Sequence, residues 1–253
     1  MVKVIMHGCN GAMGKTVSKI CETDIDIEIV AGIDSFDNGQ DNYPIFSKIE
    51  NCNIKADVII DFSVASAVDN LLDYCVKNSM PVVLCTTGLT QMQIEKVKDT
   101  SEQTAVLKSA NMSLGINMLL KLLQNAAKVL VPAGFDVELV EKHHNKKLDA
   151  PSGTALALAD SINEALDGEY HYVYDRSTKK EMRDKKEIGI SVVRGGTIVG
   201  DHDVIFAGND EVITFNHTAY SKAVFAKGAV QAAKFLSEKT KGLYDMSDVI
   251  GDI

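Results

Sequence analysis

Hydrophobic residues in the first 110 positions fall in short, nearly unbroken runs, with longer stretches of helical spacing between them. The runs lie at 2–6, 27–33, 57–62, 81–85 and 104–108. Apolar runs of this length read as strands buried on both faces, the habit of a parallel sheet. Residues 13–21 and 63–77 read as helices, and in the second Val64, Val68, Leu71, Leu72 and Val76 recur on one face. Thr90-Gln91-Met92-Gln93 has the form of a capping box, so a further helix begins there. Alternating strands and helices predict an α/β, doubly wound parallel sheet.

The pattern changes after a long helical stretch at 113–130. A strand is expected at 135–144 and a helix at 154–166, followed by a polar, charged segment at 167–186. From Glu187 the alternation of Ile188, Ile190 and Val192, the pair Gly195-Gly196, the run Val204-Ile205-Phe206 and the turn Asn209-Asp210 read as hairpins. This predicts a second α+β domain with a mixed or antiparallel sheet. The last long helix, 221–239, carries Val224, Phe225, Val230, Phe235 and Leu236 at helical spacing and is expected to return to the first domain. The expected division is 1–112 with 219–253 for the first domain and 113–218 for the second.

Composition narrows the function classes. A net charge of -9 over 253 residues argues against a general nucleic-acid or anionic-membrane binder. No apolar run approaches the roughly 18 residues of a spanning helix, and the opening run is too short for a signal-peptide core. The expected setting is therefore the cytoplasm. The five cysteines, Cys9, Cys21, Cys52, Cys75 and Cys85, form no Cys-x-x-Cys pair, which fits reduced thiols and no metal site.

Gly8-Cys9-Asn10-Gly11-Ala12-Met13-Gly14 follows the first strand and opens the first helix. That is the context of a Rossmann-type dinucleotide turn, in which glycines let backbone N–H groups approach a pyrophosphate at the helix start. Asn10 stands where a second glycine is usual, and asparagine tolerates left-handed backbone. Asp34, 20 residues beyond Gly14, suits the adenosine ribose hydroxyls and would repel a 2′-phosphate. Lys15 could offset part of that repulsion. The expected cofactor is NADH, with NADPH tolerated.

The densest polar cluster is 141–155, between the strand at 135–144 and the next helix. Neighbouring strand residues face opposite ways, so His143 and His144 share a pocket only if the strand has ended. Val137 and Leu139 place the odd positions on an apolar face, which draws His143 inward. Ser152-Gly153-Thr154 at the start of the next helix suits a substrate carboxylate, and Lys147 suits either a carboxylate or a proton transfer. A solvated strand end and a plain helix cap explain the same residues without chemistry.

Taken together, Gly8–Gly14, Ile60-Asp61-Phe62-Ser63, Cys85-Thr86-Thr87-Gly88 and Ser109-Ala110-Asn111-Met112-Ser113 resemble the dihydrodipicolinate (4-hydroxy-tetrahydrodipicolinate) reductase family of the diaminopimelate route to lysine. The most specific stretch is Glu141-Lys142-His143-His144-x-x-Lys147-x-Asp149-x-Pro151-Ser152-Gly153-Thr154-Ala155, with Arg194-Gly195-Gly196 and Gly200-Asp201-His202 further on. The likeness runs over essentially the whole chain. It implies hydride transfer from NAD(P)H to a cyclic dicarboxylate, with His143 and Lys147 catalytic and His144, Ser152, Gly153 and Thr154 on the substrate. It places Gly8, Gly11, Ala12, Met13, Asp34, Phe62, Thr87, Gly88, Asn111 and Met112 around the cofactor, and it implies a homotetramer. Cys85 where glycine is usual, Met112 where phenylalanine is frequent, and Lys222 where arginine is known depart from the family. An NAD(H)-binding redox regulator without turnover and another two-domain dehydrogenase, such as one acting on aspartate, are the alternatives.

Overall fold

The computed structural model describes residues 1–37, 39, 41–177 and 179–251. Positions 252 and 253 of the expected first domain, and Thr178 of the polar segment, lie outside the described residues. The chain divides into two compact units, Met1–Leu114 with the segment from Ala223 onward, and Gly115–Lys222. No described helix is long and apolar enough to cross a membrane.

The first unit is a seven-stranded sheet. Its strands are β1 (Val2–His7), β2 (Ile27–Ile33), β3 (Ile45–Phe46), β4 (Val58–Asp61), β5 (Val82–Leu84), β6 (Ala105–Leu107) and β12 (Gly242–Tyr244), ordered β12-β6-β5-β4-β1-β2-β3. Every pairing is parallel. Two cores cover the two faces. One joins Val4, Met6, Ile60 and Val83 to α1 (Ala12–Cys21) and α6 (Ala223–Leu236), and the other joins Ile5, Ile59 and Val82 to α2 (Ala65–Asn78) and α3 (Gln91–Ser101). The capping box is present, with Thr90 accepting from the Gln93 N–H and the Gln93 side chain returning to Thr90. Helix α6 packs on α1 and on β4, β5 and β6, the return expected of the last long helix. It approaches so closely that a Cβ on Gly228 would lie 1.6 Å from the Met112 carbonyl oxygen. A short helix, α7 (Met246–Ile250), follows β12.

The second unit carries β7 (Asp136–His143), β8 (His171–Val173), β9 (Glu187–Arg194), β10 (Gly200–Ala207) and β11 (Val212–Ala219), ordered β11-β10-β7-β9-β8. Helices α4 (Leu114–Leu130) and α5 (Gly153–Ala165) supply Leu119, Leu123, Leu158 and Ile162 to a core with Val137, Leu139, Ile190 and Phe206. The sheet is mixed: β7 pairs parallel with β9 and antiparallel with β10, and β10 pairs antiparallel with β11. Only the last of the expected hairpins forms as such. Strands β9 and β10, adjacent in sequence, are separated by β7, because the core-facing side chains of β7 need a neighbour on each side to close the apolar face. That interposition builds the site described next. The short β8 lies inside the segment whose polarity masked it.

Candidate active site

Burial along β7 alternates, with Val137, Leu139, Glu141 and His143 buried and the residues between them more open. The strand ends at His143, so His144 lies beyond it, half-buried and released from the alternation. The parallel register sets Arg194 of β9 beside His143, and the antiparallel register sets His202 of β10 beside Glu141. A carboxylate, a guanidinium and two imidazoles therefore meet at one end of β7.

Glu141 is fully buried and both its oxygens are engaged. Oε1 accepts from Arg194 Nη2 at 2.8 Å and from the Ser152 N–H at 2.9 Å, and Oε2 accepts from Arg194 Nη1 at 2.8 Å. The remaining partner of Oε2 is His143 Nδ1 at 2.5 Å. Burial alone would raise the Glu141 carboxyl, but the Arg194 guanidinium, His143 and the Ser152 N–H outweigh it and hold the group below the usual glutamate range. Arg194 Nη2 also donates to the Asp149 carbonyl at 2.7 Å, which ties down the loop carrying Lys147. Lys147 Nζ pairs with Asp149 Oδ1 at 2.9 Å, where Asp149 is largely exposed.

Ser152 caps α5, its Oγ accepting the Ala155 N–H at 3.1 Å and sharing a hydrogen bond with His202 Nε2 at 3.2 Å. The free hydroxyl and N–H expected of Ser152 are thus already used by this cap and by Glu141. At the same helix start Gly153 has open space where a side chain would be, beside Thr154.

The His202 ring stands edge-on to His143 with centroids 5.2 Å apart, and its buried Nδ1 has no partner among the described residues. Burial, reinforced by His143 and then His217, pushes His202 down to about 4. The unfolded chain therefore takes up this proton first as pH falls. His202 contributes stability that is whole above about 6.5 and is lost progressively toward about 4. The full loss is of order 3 kcal/mol at 1.36 kcal/mol per unit. Urea titrations of the wild type between pH 7 and 4 should show this decline, and His202→Asn should flatten it. A decline of equal steepness in the variant would refute the assignment.

In the first unit the turn after β1 depends on Gly8, whose φ is +81° and whose Cβ would stand 2.6 Å from the Phe62 carbonyl oxygen. A Cβ on Gly14 would stand 2.2 Å from the Gly8 carbonyl oxygen, so α1 can seat on the turn only with glycine there. Gly11 is the N-cap of α1 and has no side chain to cap it, which leaves the helix start suited to an anion. Asn10 does not adopt left-handed backbone. Its N–H donates to Asp34 Oδ2 at 3.0 Å and its side-chain amide donates to the Phe36 carbonyl, so it holds the acidic residue in place rather than relieving strain.

A cavity of about 340 Å³ opens here, lined by His7, Gly8, Gly11, Asp34, Ser35, Ser47, Phe62 and Ser63 among others. Four of the expected cofactor residues, Gly8, Gly11, Asp34 and Phe62, meet in it. Ala12 and Met13 begin α1 beside it. Thr87 and Gly88 are exposed in the loop after β5, and Asn111 follows β6 with its Oδ1 accepting the Ser113 N–H. The Met112 side chain lies in the core with α6 and not on the cavity. The cavity, the glycine cradle and the uncapped helix start at the carboxyl ends of parallel strands fit a dinucleotide. Sequence reasoning did not assign Ser35, Ser47 or Ser63 to this cavity, nor Glu141, Arg194 or His202 to the cluster on β7. Arg194 and His202 lie in motifs that pointed to the family, but strand order alone brings them together.

The chain matches family models described as dihydrodipicolinate reductase, N-terminus, over residues 2–112, and dihydrodipicolinate reductase, C-terminus, over 115–250. It is 51% identical over 250 residues to a 4-hydroxy-tetrahydrodipicolinate reductase of Caldanaerobacter subterraneus subsp. tengcongensis, covering 99% of this chain and 98% of the relative. A protein of the same name from Clostridium perfringens strain 13 is 49% identical over 252 residues, again covering 99% and 98%. Among solved structures, a dipicolinate-bound dihydrodipicolinate reductase from Paenisporosarcina sp. TG-14 superposes with a TM-score of 0.81 at 26% identity, covering 97% of each chain.

Proposed function

The chain belongs to the dihydrodipicolinate reductase family, and from that premise we propose that it reduces 4-hydroxy-tetrahydrodipicolinate, by way of dihydrodipicolinate, to tetrahydrodipicolinate. This is a step of the diaminopimelate route to lysine, and the expected form is a cytoplasmic homotetramer. The observation that carries the reading is the buried Glu141–His143 pair, joined through Ser152 to the start of α5 and through Arg194 to the loop that carries Lys147, in a chain that matches both family models.

Loss of water from the substrate gives a conjugated imine, whose reduction needs a hydride at ring C4 and a proton at C3. A bound nicotinamide dinucleotide supplies the hydride. Gly8, Gly11, Ala12 and Met13 would hold its pyrophosphate at the start of α1, and Asp34 its ribose. Phe62, Thr87, Gly88 and Asn111 border the rest, with Met112 contributing through its backbone. In the second unit the substrate carboxylates go to the start of α5 at Gly153 and Thr154, positioned by Ser152, and to His144. Clamping both carboxylates fixes the ring and replaces chance encounter by a high effective concentration. His143 and Lys147 are the proton-transfer groups. His143 is held rigid by Glu141, and Lys147 is free to leave its partly exposed partner for the substrate.

The test is an oxidation assay with NADH and NADPH in parallel, with substrate generated in situ from pyruvate and aspartate semialdehyde. Asp34 sets a carboxylate where a ribose 2′-phosphate would come, and among the described residues no lysine or arginine lines that cavity. NADH should therefore be preferred by about tenfold in kcat/KM, the equivalent of roughly 1.4 kcal/mol. Asp34→Ala should narrow the gap. A preference for NADPH would overturn the cofactor assignment. A protein that binds NADH but leaves the substrate unreduced would overturn the enzyme reading in favour of a nucleotide-binding regulator.

A further inference from the structure

We propose that Glu141 is the positioning residue of the proton transfer: it fixes the His143 ring so that Nδ1 carries a hydrogen toward the carboxylate and Nε2 is the nitrogen presented to the substrate. The proposal rests on the reading of His143 as an acid/base group given above.

The geometry leaves one arrangement. Glu141 receives four hydrogen bonds, two from Arg194, one from the Ser152 N–H and one from His143. An ionised carboxylate can only accept, so the bond at 2.5 Å requires hydrogen on His143 Nδ1. In the neutral ring this leaves Nε2 with a free lone pair, and in the charged ring it leaves Nε2–H as the transferable proton. The Nε2 side is kept open by the residue opposite. A Cβ on Gly200 would stand 3.2 Å from Nε2, and Gly200 has none. Gly200 is not in the left-handed region, so its backbone does not demand glycine. What glycine provides at this position is the space beside the imidazole. Among the described residues no protein group is hydrogen bonded to Nε2. The neighbouring His202 ring meets His143 edge-on and gives its own Nε2 to Ser152.

A purely structural role for Glu141 would be complete with Arg194 and Ser152, which join β7 to β9 and to α5. The bond to His143 adds nothing to that joint and orients only the imidazole. The same carboxylate thus aligns the imidazole and, through Ser152, the helix start that receives the substrate carboxylate.

The decisive experiment combines nitrogen NMR of histidine-labelled protein with steady-state kinetics on three proteins: wild type, Glu141→Gln and His143→Gln. His143→Gln assigns the signal. In the wild type, neutral His143 should show a protonated Nδ1 and a bare Nε2. In Glu141→Gln the amide best keeps its oxygen toward Ser152 and Arg194 Nη2, which turns its NH₂ toward His143 and inverts the tautomer. Turnover should then fall about a hundredfold, within the usual range for losing a positioned acid or base. KM should move less than about threefold, because the start of α5 still holds the substrate. NADH binding should be unchanged.

A bare Nδ1 in the wild type overturns the proposal whether or not the variant folds. Near-normal turnover in Glu141→Gln, with His143→Gln inactive, overturns the positioning role while leaving His143 as the acid/base group. Normal turnover in His143→Gln overturns the underlying reading itself. Gly200→Ala gives an independent check, since a methyl group against Nε2 should lower kcat with the Glu141 cluster intact, and full activity there would contradict the presentation of Nε2.

Discussion

Replacing His143 or Lys147 by alanine is expected to lower kcat by about 10²–10⁴-fold while NADH binding, followed by fluorescence titration, stays near wild type. The separation of the two readouts follows from where the residues lie. The cavity fitted to the dinucleotide is lined wholly by the first unit, whereas His143 and Lys147 belong to the second. The two variants should also differ from each other. His143 is buried and bonded to Glu141, so its loss removes a group fixed in place and should appear mainly in kcat. Lys147 is bonded to a largely exposed aspartate, and exposed ion pairs are worth at most about 1 kcal/mol, so its ammonium can exchange Asp149 for a substrate carboxylate at little cost. Its loss should raise KM as well as lower kcat. Asp149→Ala, which frees the ammonium without removing it, should change turnover by much less. Wild-type rates in both alanine variants would remove the assignment.

What the sequence made legible was local and periodic. The odd-numbered apolar positions Val137 and Leu139 pointed His143 inward, and the strand buries that face. Thr90 and Gln93 marked a helix start that forms with both capping bonds, and the runs at 27–33 and 113–130 match β2 and α4 closely. The illegible part was long-range or short. Strands β3, β8 and β12 have two or three residues and, unlike the equally short β5 and β6, fall in none of the apolar runs. Nothing in the alternation of Ile188, Ile190 and Val192 says that β7 intrudes between β9 and β10. Pairing partners are chosen by the packing of the whole face and not by spacing along one strand. Arg194 and His202 therefore reach the site through topology, and their distance from Glu141 in sequence hid them. Asn10 and Ser152 make local hydrogen bonds that their spacing did not reveal. Asn10 bonds toward Asp34 and Phe36, and Ser152 spends its polar atoms on Glu141, His202 and its own helix.

Removing the Arg194 guanidinium should produce the largest loss of stability, about 3–5 kcal/mol for Arg194→Met, because a buried carboxylate is left without its main counter-charge. The side chain of Arg194 is 19% exposed and that of Glu141 0%, so solvent cannot substitute for the lost pair. Two further outcomes separate this from simple loss of packing. First, Arg194→Met combined with Glu141→Gln should be more stable than Arg194→Met alone, since the second change removes the stranded charge. Second, the pH dependence should change. With its carboxyl held below the ordinary value of 4.5, Glu141 contributes stability that is present above that value and lost as pH falls through the lower folded value. Without Arg194 that acid limb should shrink, because burial then opposes ionisation with only His143 and the Ser152 N–H against it. Denaturant midpoints for the wild type and the two variants at pH 7 and near pH 4 would measure both effects. A double variant weaker than the single one would mean that the carboxylate is stable in the interior without Arg194, and the electrostatic account of this cluster would fail. Arg194 also holds the Asp149 carbonyl, so the same substitution loosens the loop that carries Lys147 and should lower turnover in parallel with stability.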